Sequence, residues 1–374
     1  MKHIYVGQTK LRIVLDTHVD LTSGKEYEIC YMKPNGTEGS FIAHVLDAEK
    51  GTIFYDVTSR DELDMSGYWS YTFRMTTYLG TWQTAPSDGF WTDQNLKESE
   101  KTISFAMKNG ILGYDCAQSY GHGQAEQTLG KVLRRHPETT FLVDTKIMPT
   151  TKEPEDLAAQ SVQRLGRTID CLYLHWPRTG FDNRAFLEKI SNLKNKTMIR
   201  KVGVCNLPLE DLERFTEQGL RIDRLQRPLS LLWSRDYAQC ARFCREHRIE
   251  LAVYSPSGMG LLSGRYHSAE DLADARKTLF CFKAQCIDKY RELLDLIVQI
   301  AGAHSVSNTK VALAWTRSQN PDILILGARN QEQLAENLDC TLTLSQTELD
   351  ELTQASKALD LAARDERNIF SYDW

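Results

Sequence analysis

The sequence lacks several features that would place the protein in a specialised class. It has no run of about 18 apolar residues, so no membrane-spanning helix is predicted. Its N-terminus has no uninterrupted apolar stretch of signal-peptide length. The net charge of -5 and the isoelectric point near 6.0 provide no general attraction to nucleic acid or anionic membrane. These absences predict a cytoplasmic protein that binds neither nucleic acid nor membrane.

Cysteine is present, but no C-x-x-C pair occurs among the nine cysteines. Cys240 and Cys244, and later Cys281 and Cys286, stand at spacings that fit no common metal or cluster motif. Scattered thiols of this kind are typical of reduced, buried side chains. We therefore predict no metal site, with a site built from these four residues as the alternative.

Residues 1–76 have the texture of a small all-β domain. Short strand-like runs are separated by turn signals such as Pro34-Asn35-Gly36. The runs are LRIVLDT, YEICYMK, SFIAHVLD, GTIFYDV and YWSYTFRMTTY. This spacing suggests a sandwich or barrel, and KPNG followed by an alternating strand resembles the N-terminal β-sandwich modules of some bacteriophage virion proteins. The stretch contains no catalytic constellation, so we predict an accessory module that could bind a protein partner.

From residue 77 to residue 374 the texture alternates between apolar strands and amphipathic helices. Eight strand-like runs occur: TYLGTW, ILGYDCA, TFLVDTK, CLYLHWP, VGVCN, RLQRP, LAVYSP and ILILGA. Helical stretches such as PEDLAAQSVQRLG lie between them, and several end in glycine, as helix C-termini often do. Eight such repeats predict an α/β fold of the (β/α)8 barrel type. An open doubly wound sheet is disfavoured because no G-x-G-x-x-G follows the first strand.

Unusual polar residues stand at or just past the ends of these runs, where a barrel carries its active site. They are Asp115, Lys146, His175, Asn206, Gln226, Ser255 and Arg329. Each of these residues has an ordinary structural interpretation when taken singly. The first three follow consecutive strands, so they can converge at one mouth of the barrel.

Asp115, Tyr120, Lys146 and His175 together predict carbonyl chemistry. Reduction of a carbonyl requires a proton donor within hydrogen-bond reach of the oxygen. A tyrosine is a poor acid at neutral pH unless its phenolate is stabilised, and the Lys146 ammonium can do that. Asp115 can hold Lys146 as its ion-pair partner, and His175 can donate to the carbonyl oxygen.

Six motifs make residues from about 79 to 359 similar to the aldo-keto reductases. They are GYDCAQSYGHGQAEQTLG, VDTK, DCLYLHWP, IRKVGVCN, YSPSGMGLLSG and LGARNQEQLAEN, in the family's order. The resemblance implies a (β/α)8 barrel that reduces aldehydes or ketones with NADP(H). It also assigns the catalytic tetrad to the same four residues. Family members usually begin with a hairpin under the barrel. Here that hairpin is either absent or replaced by the last strand of the N-terminal segment.

The resemblance further implies the residues that hold the nicotinamide. The family's Ser-Asn pair corresponds to Cys205-Asn206, and its glutamine corresponds to Gln226. Cysteine is a weaker hydrogen-bond donor than serine, so one carboxamide contact is in doubt, and simple burial of Cys205 is the alternative. The nearest candidate for the aromatic ring that the family stacks on the nicotinamide is Trp233, which could instead be a core or pocket-wall residue.

Two later motifs are expected to bind the rest of the dinucleotide. After the seventh strand, Ser255, Pro256, Gly258, Gly260 and Leu261 correspond to the family's diphosphate loop, where glycines let the backbone approach a pyrophosphate. The second motif comprises Gly327, Arg329, Gln333, Glu336 and Asn337. Arg329 can pair with a 2′-phosphate, which favours NADP(H) over NAD(H), and such glutamine, glutamate and asparagine residues contact adenosine in the family.

The substrate pocket candidates are Trp82, Trp91 and Trp176, which flank strand-end loops and would suit an apolar carbonyl compound. Two other functions stay open. The chain could be a cofactor-binding regulatory or sensor subunit with little turnover, or an assembly or adhesion protein that acts through its N-terminal module. The intact tetrad argues for the enzyme.

Overall fold

The computed structural model describes residues 12–16, 27–32, 38–47, 52–56, 70–73 and 76–362, apart from residues 88, 235, 283, 340 and 341. The chain divides into two compact units. One comprises Met1–Met75 with Pro137–Thr140, and the other comprises Thr76–His136 with Phe141–Trp374. In the part of the chain that is described, no helix has the length and apolarity needed to span a bilayer.

The described strands of the first unit form one antiparallel sheet in the order β1-β4-β3-β2-β5. The strands are β1 (Arg12–Asp16), β2 (Tyr27–Met32), β3 (Glu38–Asp47), β4 (Thr52–Asp56) and β5 (Ser70–Phe73). Each predicted run contains one of them. A second sheet is not seen among the residues described here, so the sandwich is not supported. The KPNG motif and the turn signals between the runs lie outside the described residues.

The run YWSYTFRMTTY, predicted as one strand, is divided between the two sheets. Ser70–Phe73 pairs with β2, whereas Thr76–Gly80 is the first strand of the second unit. Only residues 74 and 75 lie between them, too few for the additional two-stranded hairpin that the family usually has before the first barrel strand. Strand propensity alone did not reveal the break because both halves are rich in aromatic and β-branched residues.

The second unit contains a closed barrel of eight parallel strands, which confirms the predicted (β/α)8 architecture and excludes the open sheet. The strands are β6 (Thr76–Gly80), β7 (Gly113–Asp115), β8 (Leu142–Ile147), β9 (Ile169–Leu174), β10 (Ile199–Cys205), β11 (Arg224–Pro228), β12 (Glu250–Tyr254) and β13 (Ile323–Gly327). They follow one another around the barrel in chain order, and β13 closes it by pairing with β6.

Helices cover the barrel, and several of their ends carry typical capping residues. They are α1 (Leu96–Lys108), α2 (Gln124–Leu133), α3 (Pro154–Leu165), α4 (Asn183–Asn192), α5 (Leu209–Glu217), α6 (Tyr237–His247), α7 (Ala284–His304), α8 (Asn308–Ser318), α9 (Gln331–Leu338) and α10 (Gln346–Ala362). Asn95 caps α1 by accepting a hydrogen bond from Lys97 N at 2.8 Å. Pro154 starts α3, and Gly166 ends it in the left-handed conformation. The described cysteines Cys240, Cys244 and Cys281 are buried.

An ion network lies inside the barrel at the amino ends of the strands. Arg224 opens β11 and pairs with Glu250, whose Oε2 lies 2.6 Å from Arg224 Nη2, and with the buried Asp144. Lys201 donates to the other oxygen of Glu250 at 2.6 Å. Burial acts to raise the pKa of Glu250, but Arg224 and Lys201 lower it to about 2. These buried charges are therefore paired, as stability requires.

In the barrel interior, an aromatic ring on one strand packs against a glycine on the next strand. Tyr78 of β6 lies over Gly113 of β7, and an added Cβ at Gly113 would meet the Tyr78 ring at 2.1 Å. Tyr78 is buried in a cluster with Ala252, Ile323 and Ile325. Because this interior is close-packed, the ring cannot move aside without displacing its neighbours.

We predict that Gly113→Ala destabilises the barrel by about 1–3 kcal/mol through overpacking. The matched control is Gly302→Ala in α7, where an added Cβ meets nothing within 4 Å. A better helix former there leaves stability unchanged or raises it by up to about 1 kcal/mol. Chemical denaturation measures both changes. Equal effects of the two substitutions would contradict the packing argument.

Candidate active site

Three adjacent strands bring the predicted tetrad together at the carboxyl end of the barrel. Asp115 ends β7, Lys146 is near the end of β8, and His175 directly follows β9. Tyr120 begins a 3-10 helix (Tyr120–Gly123) in the loop after β7. The strands are neighbours in the closed sheet, so side chains that are distant in sequence point into the same mouth.

The loop that carries Tyr120 requires an unusual backbone. Gly121, His122 and Gly123 are all in the left-handed region, with φ values of 55°, 52° and 90°. A Cβ on Gly121 would lie 2.7 Å from the Cβ of Ala85, so glycine is needed for close approach as well as for conformation. The tight turn positions the Tyr120 side chain over Lys146.

The Lys146 ammonium is buried and donates to three oxygens. It lies 2.5 Å from Asp115 Oδ1, 2.9 Å from the Cys116 carbonyl oxygen and 3.1 Å from the Tyr120 hydroxyl. The other Asp115 oxygen accepts from Gln226 Nε2 at 2.7 Å. Burial acts to lower the pKa of Lys146, but Asp115 together with Tyr120 and Cys205 outweighs it, and the pKa lies above its ordinary value. The ammonium is therefore charged at neutral pH.

Tyr120 retains its proton in this environment. Burial raises the pKa of its hydroxyl, and the Lys146 ammonium opposes this rise without cancelling it. The expectation that Lys146 stabilises the phenolate is met in direction, since the ammonium acts to lower the pKa. The net result is a neutral phenol at pH 7. Its acidity would become useful when a neighbouring oxygen acquires negative charge.

His175 is a neutral imidazole. Burial, with a further contribution from the Lys146 charge, holds its pKa well below the ordinary value. Its Nδ1 lies 3.3 Å from Ser119 Oγ, and its ring contacts the Tyr120 ring edge-on at 5.7 Å between centroids. A neutral ring with one nitrogen engaged by Ser119 keeps the other nitrogen for a ligand.

A cavity of about 340 Å³ opens beside the tetrad. Asp115, Tyr120 and His175 line it, and Lys146 lies behind Tyr120. Its walls include the predicted Trp82 and Trp176, with Phe90, Leu279 and Ile325 as further apolar lining. A volume of this size with a few convergent polar groups is typical of small-molecule sites.

Trp91, the third predicted substrate residue, does not line this cavity, in contrast to Trp82 and Trp176. It is only 3% exposed and packs edge-on against Trp82, with 5.3 Å between ring centroids. The guanidinium of Arg276 lies 4.4 Å from the centre of its ring. Trp91 instead lines a second cavity, and it supports Trp82 from behind. Position in a strand-end loop could not distinguish a wall residue from the residue under it.

The residues predicted to hold a nicotinamide are joined to one another. Asn206 Nδ2 lies 3.1 Å from Cys205 Sγ, and the Cys205 thiol donates to Gln226 Oε1 at 3.5 Å. The Tyr254 hydroxyl donates to Asn206 Oδ1 at 2.7 Å. Burial raises the pKa of Cys205, so its thiol is protonated. All four side chains line the main cavity.

Tyr254 is a cavity residue that the sequence argument missed. It ends β12 directly before Ser255 and lines the main cavity, whereas Trp233 is not among the residues lining either of the two cavities described here. Trp233 belongs to the loop after β11, where it forms a bridge with Ser230. The available signal was the tyrosine at the end of the seventh barrel strand, since strand ends line the mouth.

The second cavity, of about 120 Å³, adjoins the first. Gln83, Ser257, Met259 and Gly327 line both cavities. In the turn after β12, Gly258, Met259 and Gly260 are consecutive left-handed residues, with φ values of 59°, 55° and 97°. Gly260 lines the second cavity, Ser255 and Pro256 line the first, and Leu261 is fully buried. Successive backbone N–H groups in such a turn can form an anion-binding concavity.

Three arginines line the second cavity: Arg265, Arg276 and Arg329. The predicted adenosine residues are there too. Gln333 accepts a hydrogen bond from Arg329 N at 3.0 Å, Asn337 donates to the Gly327 carbonyl oxygen at 3.1 Å, and Glu336 lies 3.9 Å from Arg265.

The chemistry of these two cavities fits a dinucleotide. One end offers neutral amides, an aromatic phenol and a proton donor, and the other offers a glycine-rich turn and guanidinium groups. A ligand with a neutral ring at one end and phosphates at the other matches this distribution. Among the described residues, no group of three or more His, Cys, Asp and Glu side chains could hold a metal ion.

Comparison with known proteins agrees with this geometry. Residues 78–357 match the model of the Aldo/keto reductase family. The chain is 26% identical over 309 residues to the NADH-specific methylglyoxal reductase of Escherichia coli (strain K12), over 75% of this chain and 94% of that protein. It is 25% identical over 283 residues to the NADP(+)-designated aldo-keto reductase yakc of Schizosaccharomyces pombe (strain 972), over 69% of this chain and 82% of that protein. The structure of a glycerol dehydrogenase from Gluconobacter oxydans is 25% identical in sequence, with a TM-score of 0.64. The match covers 79% of this chain and 94% of that chain.

We predict that His175 weakens the fold in acid. Its pKa is depressed in the folded state, so its contribution to stability is complete above the unfolded value of about 6.5 and is lost as pH falls below it. The free energy of unfolding should fall by about 1.4 kcal/mol per pH unit from this group alone. Chemical denaturation at neutral pH and at about pH 5 measures this loss.

His175→Gln should lack this component, so the variant loses less stability on acidification than the natural chain. His247→Gln, on the exposed part of α6, is the matched control and should follow the natural chain. Parallel pH dependences for the His175 variant and the natural chain would show that the folded imidazole is not held neutral.

Proposed function

Because the chain belongs to the aldo/keto reductase family, we propose that it reduces aldehydes or ketones to alcohols with NADP(H) in preference to NAD(H). The observation that carries the proposal is the Tyr120 hydroxyl, which lines the cavity with His175 and lies 3.1 Å from the Lys146 ammonium. A bound reduced nicotinamide supplies a hydride to the carbonyl carbon. The chain's own residues have to hold the oxygen and give it a proton.

The four tetrad residues have distinct roles in this step. His175, kept neutral by burial, donates a hydrogen bond to the carbonyl oxygen through the nitrogen not engaged by Ser119. As that oxygen becomes negative, the Tyr120 O–H bond breaks and the alcohol O–H bond forms. The Lys146 ammonium stabilises the phenolate that remains, and Asp115 holds Lys146 in position.

Asn206 and Gln226 would hold the carboxamide of the nicotinamide, with Cys205 behind them. Tyr254 is the better candidate for the ring that lies against the nicotinamide, in place of Trp233, because it lines the cavity between Asn206 and the glycine-rich turn. The weak Cys205 thiol donor supports looser carboxamide binding than a serine would provide.

The remaining contacts would bind the phosphates and the adenosine. The turn containing Gly258 and Gly260, with Ser255, Pro256 and Leu261, would receive the diphosphate. Arg329 would pair with a 2′-phosphate, while Gln333, Glu336 and Asn337 would contact adenosine at the start of α9. One relative is named for NADH and another for NADP(+), so the relatives do not decide the nucleotide. The proposed preference for NADP(H) therefore depends on the Arg329 guanidinium.

The walls of the main cavity support an apolar or aromatic carbonyl substrate. Trp82 and Phe90 pack with 5.3 Å between ring centroids, and Trp176 lies beside His175. Aromatic side chains favour apolar ligands and contribute large contact areas. The relatives are named for substrates as different as methylglyoxal and glycerol, so we propose the substrate class from these walls alone.

We propose that residues 1–76 form a separate accessory module of a two-domain, cytoplasmic enzyme. We propose a protein partner as the ligand of this module. The composition, net charge and five-stranded sheet support this. A sensor subunit with little turnover, or an assembly protein, is not favoured. The relatives are named as reductases or dehydrogenases, and the four tetrad side chains meet at one cavity.

We expect Tyr120→Phe to lower turnover of a generic aldehyde by about 10²- to 10⁴-fold, because the proton donor is lost. Binding of NADPH, followed by fluorescence quenching, should persist. Tyr114→Phe is the matched control, since Tyr114 is a buried tyrosine that donates to the Ile111 carbonyl oxygen outside the cavity. Full activity of the Tyr120 variant would refute the mechanism.

Arg329→Gln should weaken NADPH binding by roughly ten-fold or more, because it removes charge-assisted hydrogen bonds to the 2′-phosphate. Binding of NADH should change much less. Titration of both nucleotides gives the ratio of dissociation constants. Arg200→Gln, which removes a surface arginine paired with Asp170, serves as the control. An unchanged ratio in the Arg329 variant would rule out Arg329 as the phosphate ligand.

A further inference from the structure

The Arg329 guanidinium already has a carboxylate partner from another part of the barrel mouth. Asp93, in the loop between β6 and α1, places its Oδ1 2.6 Å from Arg329 Nη2. Its neighbour Gln94 accepts from Arg329 Nε at 3.2 Å and donates to the Arg329 carbonyl oxygen at 2.9 Å. Side chain and backbone of Arg329 are thus both bound by one short segment of this loop.

The three guanidinium groups of the second cavity lie at different distances from the carboxylates that neutralise their charge. Arg276 pairs with Asp274 at 2.9 Å and donates to the Met259 carbonyl oxygen at 3.1 Å. Arg329 pairs with Asp93 at 2.6 Å, whereas Arg265 lies 3.9 Å from Glu336. A 2′-phosphate would enter a cavity in which each arginine has an acidic neighbour.

A phosphate bound to Arg329 has to compete with Asp93. Gln94 and Asp93 bind the Nε and Nη2 positions of the guanidinium. This edge is therefore not available for a bidentate contact with a phosphate. The Asp93 carboxylate is also a like charge beside the incoming phosphate. A hydrogen bond from Arg329 lowers the pKa of Asp93, which keeps the carboxylate ionised at neutral pH. A ribose 2′-hydroxyl carries no charge and experiences neither penalty.

We propose that Asp93 is a specificity-determining residue that acts as the counter-ion of Arg329 and reduces the enzyme's preference for NADPH over NADH. This rests on the proposed function, in which Arg329 faces the 2′-phosphate. Arg329 favours the phosphorylated nucleotide, and Asp93 opposes it by occupying the guanidinium and repelling the phosphate. The balance between the two side chains sets the ratio of the two affinities.

The test is titration of the full-length chain with NADPH and NADH, followed by fluorescence quenching. Asp93→Asn keeps the size of the side chain and removes its charge. We expect the preference for NADPH to rise about three- to ten-fold, as for the loss of one partly exposed charge beside a multiply charged phosphate. Asp288→Asn is the control, because Asp288 pairs with Arg291 at 2.7 Å and its side chain is 68% exposed, as is that of Asp93.

The double variant Asp93→Asn with Arg329→Gln separates the two sides of the pair. If Asp93 acts as the counter-ion of Arg329, its substitution shifts the ratio less once Arg329 is absent. An equal shift in both backgrounds would overturn the counter-ion role. So would an Asp93→Asn variant in which NADPH binds more weakly, since Asp93 would then be orienting Arg329 for the phosphate.

An unchanged ratio in Asp93→Asn, while Arg329→Gln still weakens NADPH, would overturn the inference and leave the proposed function intact. If the natural chain binds neither nucleotide, the proposed function fails and this inference fails with it.

Discussion

The active site depends on one buried ion pair, between Lys146 and Asp115. An ammonium taken out of water is stable only when its hydrogen-bonding positions are filled, because desolvation of a lone charge costs several kcal/mol. Here the three acceptors are a carboxylate, a carbonyl oxygen and the Tyr120 hydroxyl. The last is the one for which we propose a chemical task. Gln226 donates to the second carboxylate oxygen and so connects the pair to Cys205, whose thiol donates to Gln226.

The same pair acts, together with burial, on the protonation states around it. Its positive end opposes the rise in the pKa of Tyr120 and adds to the fall in the pKa of His175. The ammonium thus adds to the burial that keeps the imidazole neutral, and it favours ionisation of Tyr120 against the effect of burial. The opposite end of the barrel carries the second ion network, centred on Arg224. Buried charge is therefore placed at both ends of the strands, and aromatic rings and aliphatic side chains fill the layer between them.

The convergence of side chains could be predicted where it follows from position on a strand. Asp115, Lys146 and His175 were predicted to meet because they end consecutive strands, and in the barrel they do. Prediction was weakest for aromatic residues in loops. Trp91 and Trp82 are both in the loop after the first barrel strand, yet Trp82 lines the cavity and Trp91 lies behind it. Side-chain direction in a loop depends on backbone angles that sequence patterns do not specify, such as the φ of 55° at Trp91.

The sequence by itself determined the family, the eight strand-helix repeats and the candidate residues of the tetrad, because these follow from short periodic patterns and local motifs. The tertiary structure decided which side chains share hydrogen bonds. Gln94 and Arg329, 235 residues apart, meet only because β13 closes the barrel against β6. It also decided that the run before the barrel divides between two sheets, since strand propensity is the same for both partners. Contacts between distant segments depend on closure of the whole barrel, and no local pattern encodes them.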